Sequence, residues 1–509
     1  MKNPENKIKS LKELKKIIEN FKKEGKKIVL CHGVFDLFHP GHLLYFEAAK
    51  KEGDILIVSL TADQFVNKGI NRPVFSHFIR AKVLATLEIV DYVIIDFHKT
   101  AVELVKETKP DIYFKGQEGE KELNDKESNL FKEAQAVSSV GGEIKFSYTP
   151  TYSSTELLVN YFNLYPKKTK EFLENFKKKY SFEKIWTFIE RVKKLKILII
   201  GESIIDDYCY CQTMNKVSKA NIVGTKYLKK EIFAGGVLAS ANHLANFCER
   251  VDLITVLGEK RSFEDFIKNK LKPNIHYKFF YEKNGQTIIK RRFFDPAFMD
   301  ELFEIYYLDD RNLSLKTKEK ILNHLEKKIK NYDLVIVKDY GHGFFDEELI
   351  RFLEKKAKFL ALMVQTNFAN YGFNLVTKYK RADFVCLDHD EARLAVHLND
   401  KDIKEVGKKL LEEIKVENLI ITLGHNGSLA FESKKKIYSC PVFSNKVIDR
   451  LGAGDAFVSV TAPLVSLKTP LEIVNFIGNV AGAIKVTIVG NKESVSKEKL
   501  YSFLKTILK

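Results

Sequence analysis

Short β-branched runs alternate with helical stretches twice along this chain, first from Lys26 and again from Lys196. In the first series Lys27–Leu30, Asp54–Leu60, Tyr92–Asp96, Asp111–Phe114 and Glu143–Tyr148 read as strands. Leu43–Lys51, Arg80–Leu87 and Ala101–Thr108 read as the helices between them, and a helical segment after Ser153 closes the unit near Tyr165. Strands that alternate with helices predict a parallel sheet covered on both faces. Ligands then sit at the carboxyl ends of the strands. The second series runs through Ile197–Ile200, Leu253–Leu257, Leu334–Lys338, Leu360–Val364, Phe384–Leu387 and Leu419–Thr422. It ends in helical segments at Gly454–Leu467 and Leu471–Val489. Between the two, Pro166 to about Lys194 is rich in Lys, Glu and Phe and reads as linking helices. The expected organisation is one α/β domain over 1–165 (core 26–160), a helical linker over 166–195, and a second α/β domain over 196–509.

With 509 residues, 45% of them hydrophobic, two or three sizeable cores are within reach. Met1 to Lys27 alternates lysines with Ile8, Leu11, Leu14, Ile17 and Ile18, the pattern of an amphipathic helix rather than an export leader. No apolar run approaches the roughly 18 residues of a membrane span. Six cysteines, with Cys209 and Cys211 one residue apart, form neither a disulfide framework nor a zinc spacing. A soluble cytoplasmic protein with no membrane partner is expected. The net charge of +17 comes mostly from lysines on helical faces, such as Lys12, Lys15, Lys16 and Lys177–Lys179. Without interleaved aromatics this argues against a nucleic-acid partner, while the positive field suits phosphorylated substrates.

The densest chemical signal is Cys31-His32-Gly33-Val34-Phe35-Asp36-Leu37-Phe38-His39-Pro40-Gly41-His42, which follows a strand and opens a helix. Gly33 lets backbone approach a phosphate. His39 and His42 flank Gly41 where a helix dipole and unpaired N–H groups favour anions. Two imidazoles there can donate to a triphosphate as charge builds on departing pyrophosphate. The plainer alternative is a strand–turn–helix junction with satisfied histidines, against which the His-x-x-His spacing in a glycine-bearing turn weighs.

The pattern G-x-F-D-x-x-H-x-G-H resembles the signature of the cytidylyltransferase-like nucleotidyltransferases, and the similarity extends from Lys26 to Leu158. Arg72-Pro73-Val74, Arg80, Glu88–Val93, Lys115-Gly116 and Ser153-Ser154-Thr155 fall where that family has matching elements. The Phe-Lys-Gly turn is more similar to the transferase half of bifunctional heptose-phosphate enzymes than to glycerol-phosphate cytidylyltransferases. The resemblance implies a Rossmann-like domain in which His39 and His42 stabilise the transferring phosphates. It implies a nucleotide site formed by Gly33, Phe35, Asp36, Gly41, Lys115, Gly116 and Ser153, with Lys68 or Arg80 holding the triphosphate. Ser154 and Thr155 would cap the last helix nearby. ATP or CTP would be the nucleotide and Mg²⁺ its counter-ion.

The second motif, Asp449-Arg450-Leu451-Gly452-Ala453-Gly454-Asp455-Ala456-Phe457, precedes a helical run. Gly452, Ala453 and Gly454 can expose successive N–H groups as an anion hole, and Asp455 can take the proton of an attacking hydroxyl. D-x-x-G-A-G-D resembles the signature of ribokinase-like (PfkB) carbohydrate kinases, with similarity from Lys196 to Lys509. The likeness implies a ribokinase-like α/β domain. Asp206, Gly235, Gly236 and Asp339 would hold the sugar, and Thr422, Gly424 and Gly427 the nucleotide. Three positions depart from the family. Ala239 stands where Asn is usual, Gln365-Thr366-Asn367 replaces an Asp-Pro-Lys-like turn, and Asp388-His389-Asp390-Glu391 keeps only the Glu of a metal-associated Asn-x-x-Glu. Glu391 is therefore the candidate Mg²⁺ residue. The first two departures imply an altered acceptor, or a kinase weakened or lost.

Together the motifs lead to the expectation of a two-site enzyme. A sugar phosphate is phosphorylated at its anomeric hydroxyl with ATP, and the 1-phosphate is then coupled to a nucleotide, with heptose the first guess. The transferase comes first here, the reverse of the bacterial heptose enzymes that the chain resembles. One alternative is a cytidylyltransferase for an alditol or other small phosphate with a non-catalytic kinase fold. Another is a nucleotide-sensing scaffold with two spent domains. Partners are then a nucleoside triphosphate and a sugar phosphate, with self-association into a homo-oligomer common in such folds.

Overall fold

The computed structural model describes residues 3–66, 72–125, 128–149, 165–216, 222–297, 299–309, 312–432, 436–444 and 447–508. They fall into two compact units that divide between Tyr165 and Pro166.

Unit 1 is built on β1 (Ile28–Gly33), β2 (Ile55–Thr61), β3 (Tyr92–Asp96), β4 (Ile112–Gly116) and β5 (Glu143–Ser147), a parallel sheet in the order β3-β2-β1-β4-β5. Period-two geometry sends successive side chains of β1 to opposite faces. Ile28 and Leu30 join a core with Leu14, Leu104 and Tyr113, while Val29 and Cys31 join another with Phe46, Leu84 and Val93. The chain order reverses between β1 and β4, so a crevice opens at their carboxyl ends. β1 runs to Gly33, beyond the expected Leu30, because Cys31, His32 and Gly33 continue the pairing with Val58, Ser59 and Leu60. The amphipathic helix is shorter than expected from Met1–Lys27. It covers Leu11–Lys23, started by a reciprocal cap between Ser10 and Glu13 and followed by Gly25 at φ 72°. The helix expected after Ser153 lies outside the described residues.

The main sheet of unit 2 is made of β6 (Ile197–Gly201), β9 (Val251–Lys260), β10 (Ile275–Gln286), β13 (Leu334–Asp339), β14 (Leu360–Val364), β15 (Ala382–Asp388), β16 (Val416–Thr422), β17 (Ser428–Glu432) and β18 (Lys436–Cys440). Their order is β10-β9-β6-β13-β14-β15-β16-β17-β18. All pair in parallel except β17 and β18. A second, four-stranded sheet of order β12-β11-β7-β8 combines β7 (Ser203–Lys216), β8 (Val223–Gly236), β11 (Ile288–Asp295) and β12 (Asp300–Tyr307). Helices Ala453–Ser466 and Leu471–Lys485 are buried almost all round, as their apolar composition requires.

The helices Lys167–Lys179 and Phe182–Arg191, expected as a joint, pack on unit 2. Phe176 stacks on Phe476 at 4.2 Å, Trp186 meets the edge of Tyr501 at 4.8 Å, and Lys179 reaches Glu472 at 2.9 Å. The six cysteines are all buried and unpaired. No helix among the described residues is long and apolar enough to cross a membrane.

Candidate functional site

The first motif sits at the carboxyl end of β1. Phe35 and Leu37 take left-handed backbone, φ 49° and 50°, which bulky residues seldom adopt outside constrained sites. Gly33 leaves room for the Phe35 ring, which a Cβ there would crowd at 3.0 Å. His39 caps the helix Pro40–Lys50, with Pro40 in the first turn where its missing N–H costs nothing. The His39 and His42 rings stack at 3.8 Å, and Phe35 stands edge-on to His42 at 5.5 Å. Gly41, inside the first turn, is buried. Two imidazoles thus face one helix N-terminus beside the β1–β4 crevice. Phe35, Phe38, Phe75, Ile79 and Val83 wall a cavity of about 310 Å³ next to His39.

The charged residues assigned to this site divide into two groups. Asp36 is buried, with its carboxylate on Arg72 at 2.8 Å and on the amides of Val74 (2.8 Å) and Phe75 (3.2 Å). Arg80, 2% exposed, donates to the carbonyls of Val34, Thr61 and Phe75 and pairs with Asp63 at 2.6 Å. Both therefore brace the loops around the crevice. Lys115, just before Gly116 at the end of β4, lies 3.3 Å from Glu133 and 3.5 Å from the His32 carbonyl. Burial opposes the Glu133 charge, but Lys115 and the hydrogen bond from the Tyr113 hydroxyl hold its carboxyl below the ordinary value. Burial, with Lys115 adding, takes His32 down to about 4, so it is a neutral ring bonded to Ser59 at 3.0 Å. Lys68, Ser153, Ser154 and Thr155 lie outside the described residues.

The second motif starts the helix Ala453–Ser466, with Gly452 as its cap at φ 75°. Asp455 faces the carboxyl end of β13. Its Oδ1 meets Lys338 Nζ at 2.6 Å and accepts from the Tyr340 hydroxyl at 2.7 Å and Ser240 at 3.4 Å. Burial pushes the Asp455 pKa up, but Lys338 and Tyr340 more than offset it and hold the carboxyl below its usual value. Lys338 itself is 0% exposed. In the sequence it reads as the polar end of an apolar strand, and the only hint was a lysine directly after Leu-Val-Ile-Val.

The residues expected to hold the sugar meet in part where β7, β8 and β11 adjoin. Asp206 pairs with Arg292 at 2.8 Å and accepts from Asn491 at 3.0 Å. A Cβ on Gly235 would fall 2.0 Å from Asp206 Oδ2, and Gly236 has φ 59°, so each glycine has its own steric reason. Glu202, which sequence reasoning passed over, accepts the amides of Tyr340 (2.9 Å) and His342 (3.1 Å) and is pushed up to about 7 by burial and by Asp339. Asp339 lies near enough to Glu202 to raise it but makes its bonds elsewhere. Its carboxylate is occupied by Lys378 at 2.6 Å, Tyr379 at 2.8 Å, the Gly341 amide at 3.0 Å and Asn374 at 3.1 Å, which fixes the loop after β14.

Of the residues expected at the nucleotide, Thr422 closes β16 and bonds the Leu387 carbonyl at 3.3 Å. Gly424 and Gly427 shape the turn that follows, at φ 55° and 88°, and a Cβ on Gly427 would strike the Cys440 carbonyl at 2.0 Å. Glu391 accepts the amides of Asp388 (3.0 Å) and Thr366 (3.2 Å) as part of the cap of helix His389–Ala395. Burial pushes it up to about 8. A carboxyl engaged in this way and easily protonated does not fit a direct Mg²⁺ ligand. The neighbouring Asp388, His389 and Asp390 lie close together at the surface.

Residues 194–498 match the description "pfkB family carbohydrate kinase", and residues 30–159 match "Cytidylyltransferase-like". A curated relative from Nitratiruptor, the bifunctional protein HldE, is 42% identical over 310 residues, 60% of this chain and 64% of that protein. The bifunctional protein HldE of Campylobacter jejuni is 46% identical over 317 residues, 61% of this chain and 65% of that protein. The alignments thus span less than two thirds of these relatives' length. Phosphofructokinase-2 of Escherichia coli, solved in complex with potassium, shares the fold with a TM-score of 0.51 at 12% identity, over 61% of this chain and 99% of that one. The chain belongs to the pfkB family of carbohydrate kinases and carries a cytidylyltransferase-like region ahead of its kinase fold.

Proposed function

We propose that the protein makes a nucleotide-activated sugar in two steps from a sugar phosphate, with a heptose phosphate as the first substrate to try. In unit 2 the anomeric hydroxyl attacks the γ-phosphorus of ATP, the bond to ADP breaks, and Asp455 receives the hydroxyl proton. Lys338 keeps Asp455 ionised for that task. The N–H groups of the turn Gly452–Gly454 face the transferring phosphoryl group. Asp206, with Arg292 and Asn491 behind it, orients the sugar against Gly235. In unit 1 an oxygen of the resulting 1-phosphate attacks the α-phosphorus of ATP or CTP and pyrophosphate leaves. His39 and His42 donate to the phosphate oxygens as that charge develops. Mg²⁺ bound to the triphosphates would neutralise part of their charge.

The observation that carries this proposal is shared by both units: a glycine-bearing helix N-terminus presents reactive side chains at the carboxyl edge of a parallel sheet. The names of the relatives, bifunctional HldE, support pairing the two activities in one chain. Six buried unpaired thiols support a reducing, cytoplasmic setting. A homo-oligomer is proposed only on the habit of such folds.

The test is mass spectrometry of the purified protein with ATP, CTP, Mg²⁺ and a panel of sugar phosphates. A sugar bisphosphate followed by a nucleoside diphosphate sugar is expected. Product formed only from preformed 1-phosphates would remove the kinase step.

A further inference from the structure

Lys485 ends the helix Leu471–Lys485 and is 0% exposed. Its ammonium donates to the Leu451 carbonyl at 2.6 Å and to the Gly490 carbonyl at 2.9 Å. Leu451 lies immediately before the Gly452 turn, and a Cβ on Gly452 would come within 3.4 Å of Lys485 Nζ. Asp449 joins the same two segments from the other side. Its Oδ2 accepts the Gly490 amide at 2.6 Å, and its Oδ1 accepts the Leu451 amide at 2.9 Å. The Val486 carbonyl adds bonds from the amides of Ile448 (2.8 Å) and Asp449 (3.1 Å). The turn after Lys485 also carries Asn491, which holds Asp206. One ammonium therefore lies where the phosphate-binding turn and the sugar-side turn converge.

A buried ammonium is unfavourable unless donors and counter-charge surround it. Burial lowers the Lys485 pKa, and Asp449, Asp455 and Asp206 act against that loss of charge. Two main-chain carbonyls beside a carboxylate are also the kind of oxygen cage that replaces the hydration shell of a monovalent cation. An ammonium on a fixed stem supplies the same charge without an ion to bind or lose.

We infer that Lys485 is a built-in monovalent cation, a positioning residue that locks the Gly452 turn onto the turn at Gly490 for phosphoryl transfer. This rests on the kinase activity proposed above. It follows that unit 2 is indifferent to potassium, and that vacating the ammonium creates a dependence on an added cation.

The experiment compares the full-length protein with Lys485→Ala, which empties the space, and Lys485→Met, which fills it without charge. Each is measured in sodium, potassium and ammonium chloride at equal ionic strength. The readouts are sugar-phosphate-dependent ATP turnover and amide hydrogen exchange over 449–455, which needs no turnover. The parent protein should behave alike in all three salts. In sodium, Lys485→Ala should exchange faster and lose about 10²-fold in kcat, the scale of a misplaced reacting geometry. Potassium or ammonium should restore both readouts in Lys485→Ala and neither in Lys485→Met. The inference is overturned by several-fold potassium activation of the parent, by an unaltered Lys485→Ala, or by a loss that no cation reverses, unfolding included. A parent with no ATP turnover but the expected exchange pattern would sink the kinase proposal and leave the cation assignment standing.

Discussion

Lys338, Tyr340 and Ser240 all meet Asp455 on Oδ1, so the other oxygen is the one that can face a reacting hydroxyl. Asp455→Asn should abolish sugar-phosphate-dependent ATP consumption while transfer to a preformed 1-phosphate continues, read by coupled ADP and pyrophosphate assays. Lys338 sets the pH range of that step. A carboxyl held low stays ionised further into acid, so the acidic limb of kcat/KM should lie below the ordinary carboxylate range. Lys338→Met removes the stabilising charge and leaves burial, which raises the Asp455 pKa. The limb should then move to higher pH, and an unmoved limb would remove Lys338 from the machinery. At the other site His39→Ala or His42→Ala should slow pyrophosphate release by roughly 10²–10³-fold and spare ADP formation from ATP and the sugar phosphate. An equal loss of both activities would contradict two separate sites. The placement of His39, His42 and Asp455 at the first turns of helices was legible because each motif puts a glycine-bearing turn directly before a helical run. Lys338 and Lys485 were not, since a lysine ending an apolar segment looks the same whether it turns to solvent or into the core.

At the scale of elements, the central strands were legible because strands buried on both faces read as continuous apolar runs. The four-stranded sheet was not. β8 is mostly exposed along its first half and alternates weakly, with Lys229 and Lys230 beside Tyr227 and Leu228, so neither period stands out. That sheet nevertheless supplies Asp206, Gly235 and Arg292. The roles of Arg80, Asp36, Asp339 and Glu391 were likewise hidden: a motif gives a residue's identity but not the partner its side chain finds after folding. Each turned to backbone amides, carbonyls or a neighbouring charge to satisfy buried polar groups. Gly235 gives the sharpest test of the sugar end. The Cβ of Gly235→Ala would displace the Asp206 carboxylate from contact at 2.0 Å. KM for the sugar phosphate should rise several-fold with pyrophosphate release from a preformed 1-phosphate unchanged, and an unaltered KM would detach Asp206 from the acceptor.

For the whole molecule, each unit has its own sheet and cores, and under the proposed function the product of the first step, the 1-phosphate, is the substrate of the second. Physical linkage raises the local concentration of that intermediate at the second site. Separately disabled chains should therefore complement each other. Neither His42→Ala nor Asp455→Asn alone should yield nucleotide sugar from a sugar phosphate. An equimolar mixture should, after a lag in which free 1-phosphate accumulates. The lag should shorten as protein concentration rises, because the intermediate must cross solution between chains. Mass spectrometry of the time course reads both species at once. If the mixture stays inactive although each chain retains its remaining half-reaction, the intermediate passes only within one chain, and the units are coupled more tightly than two independent sites allow.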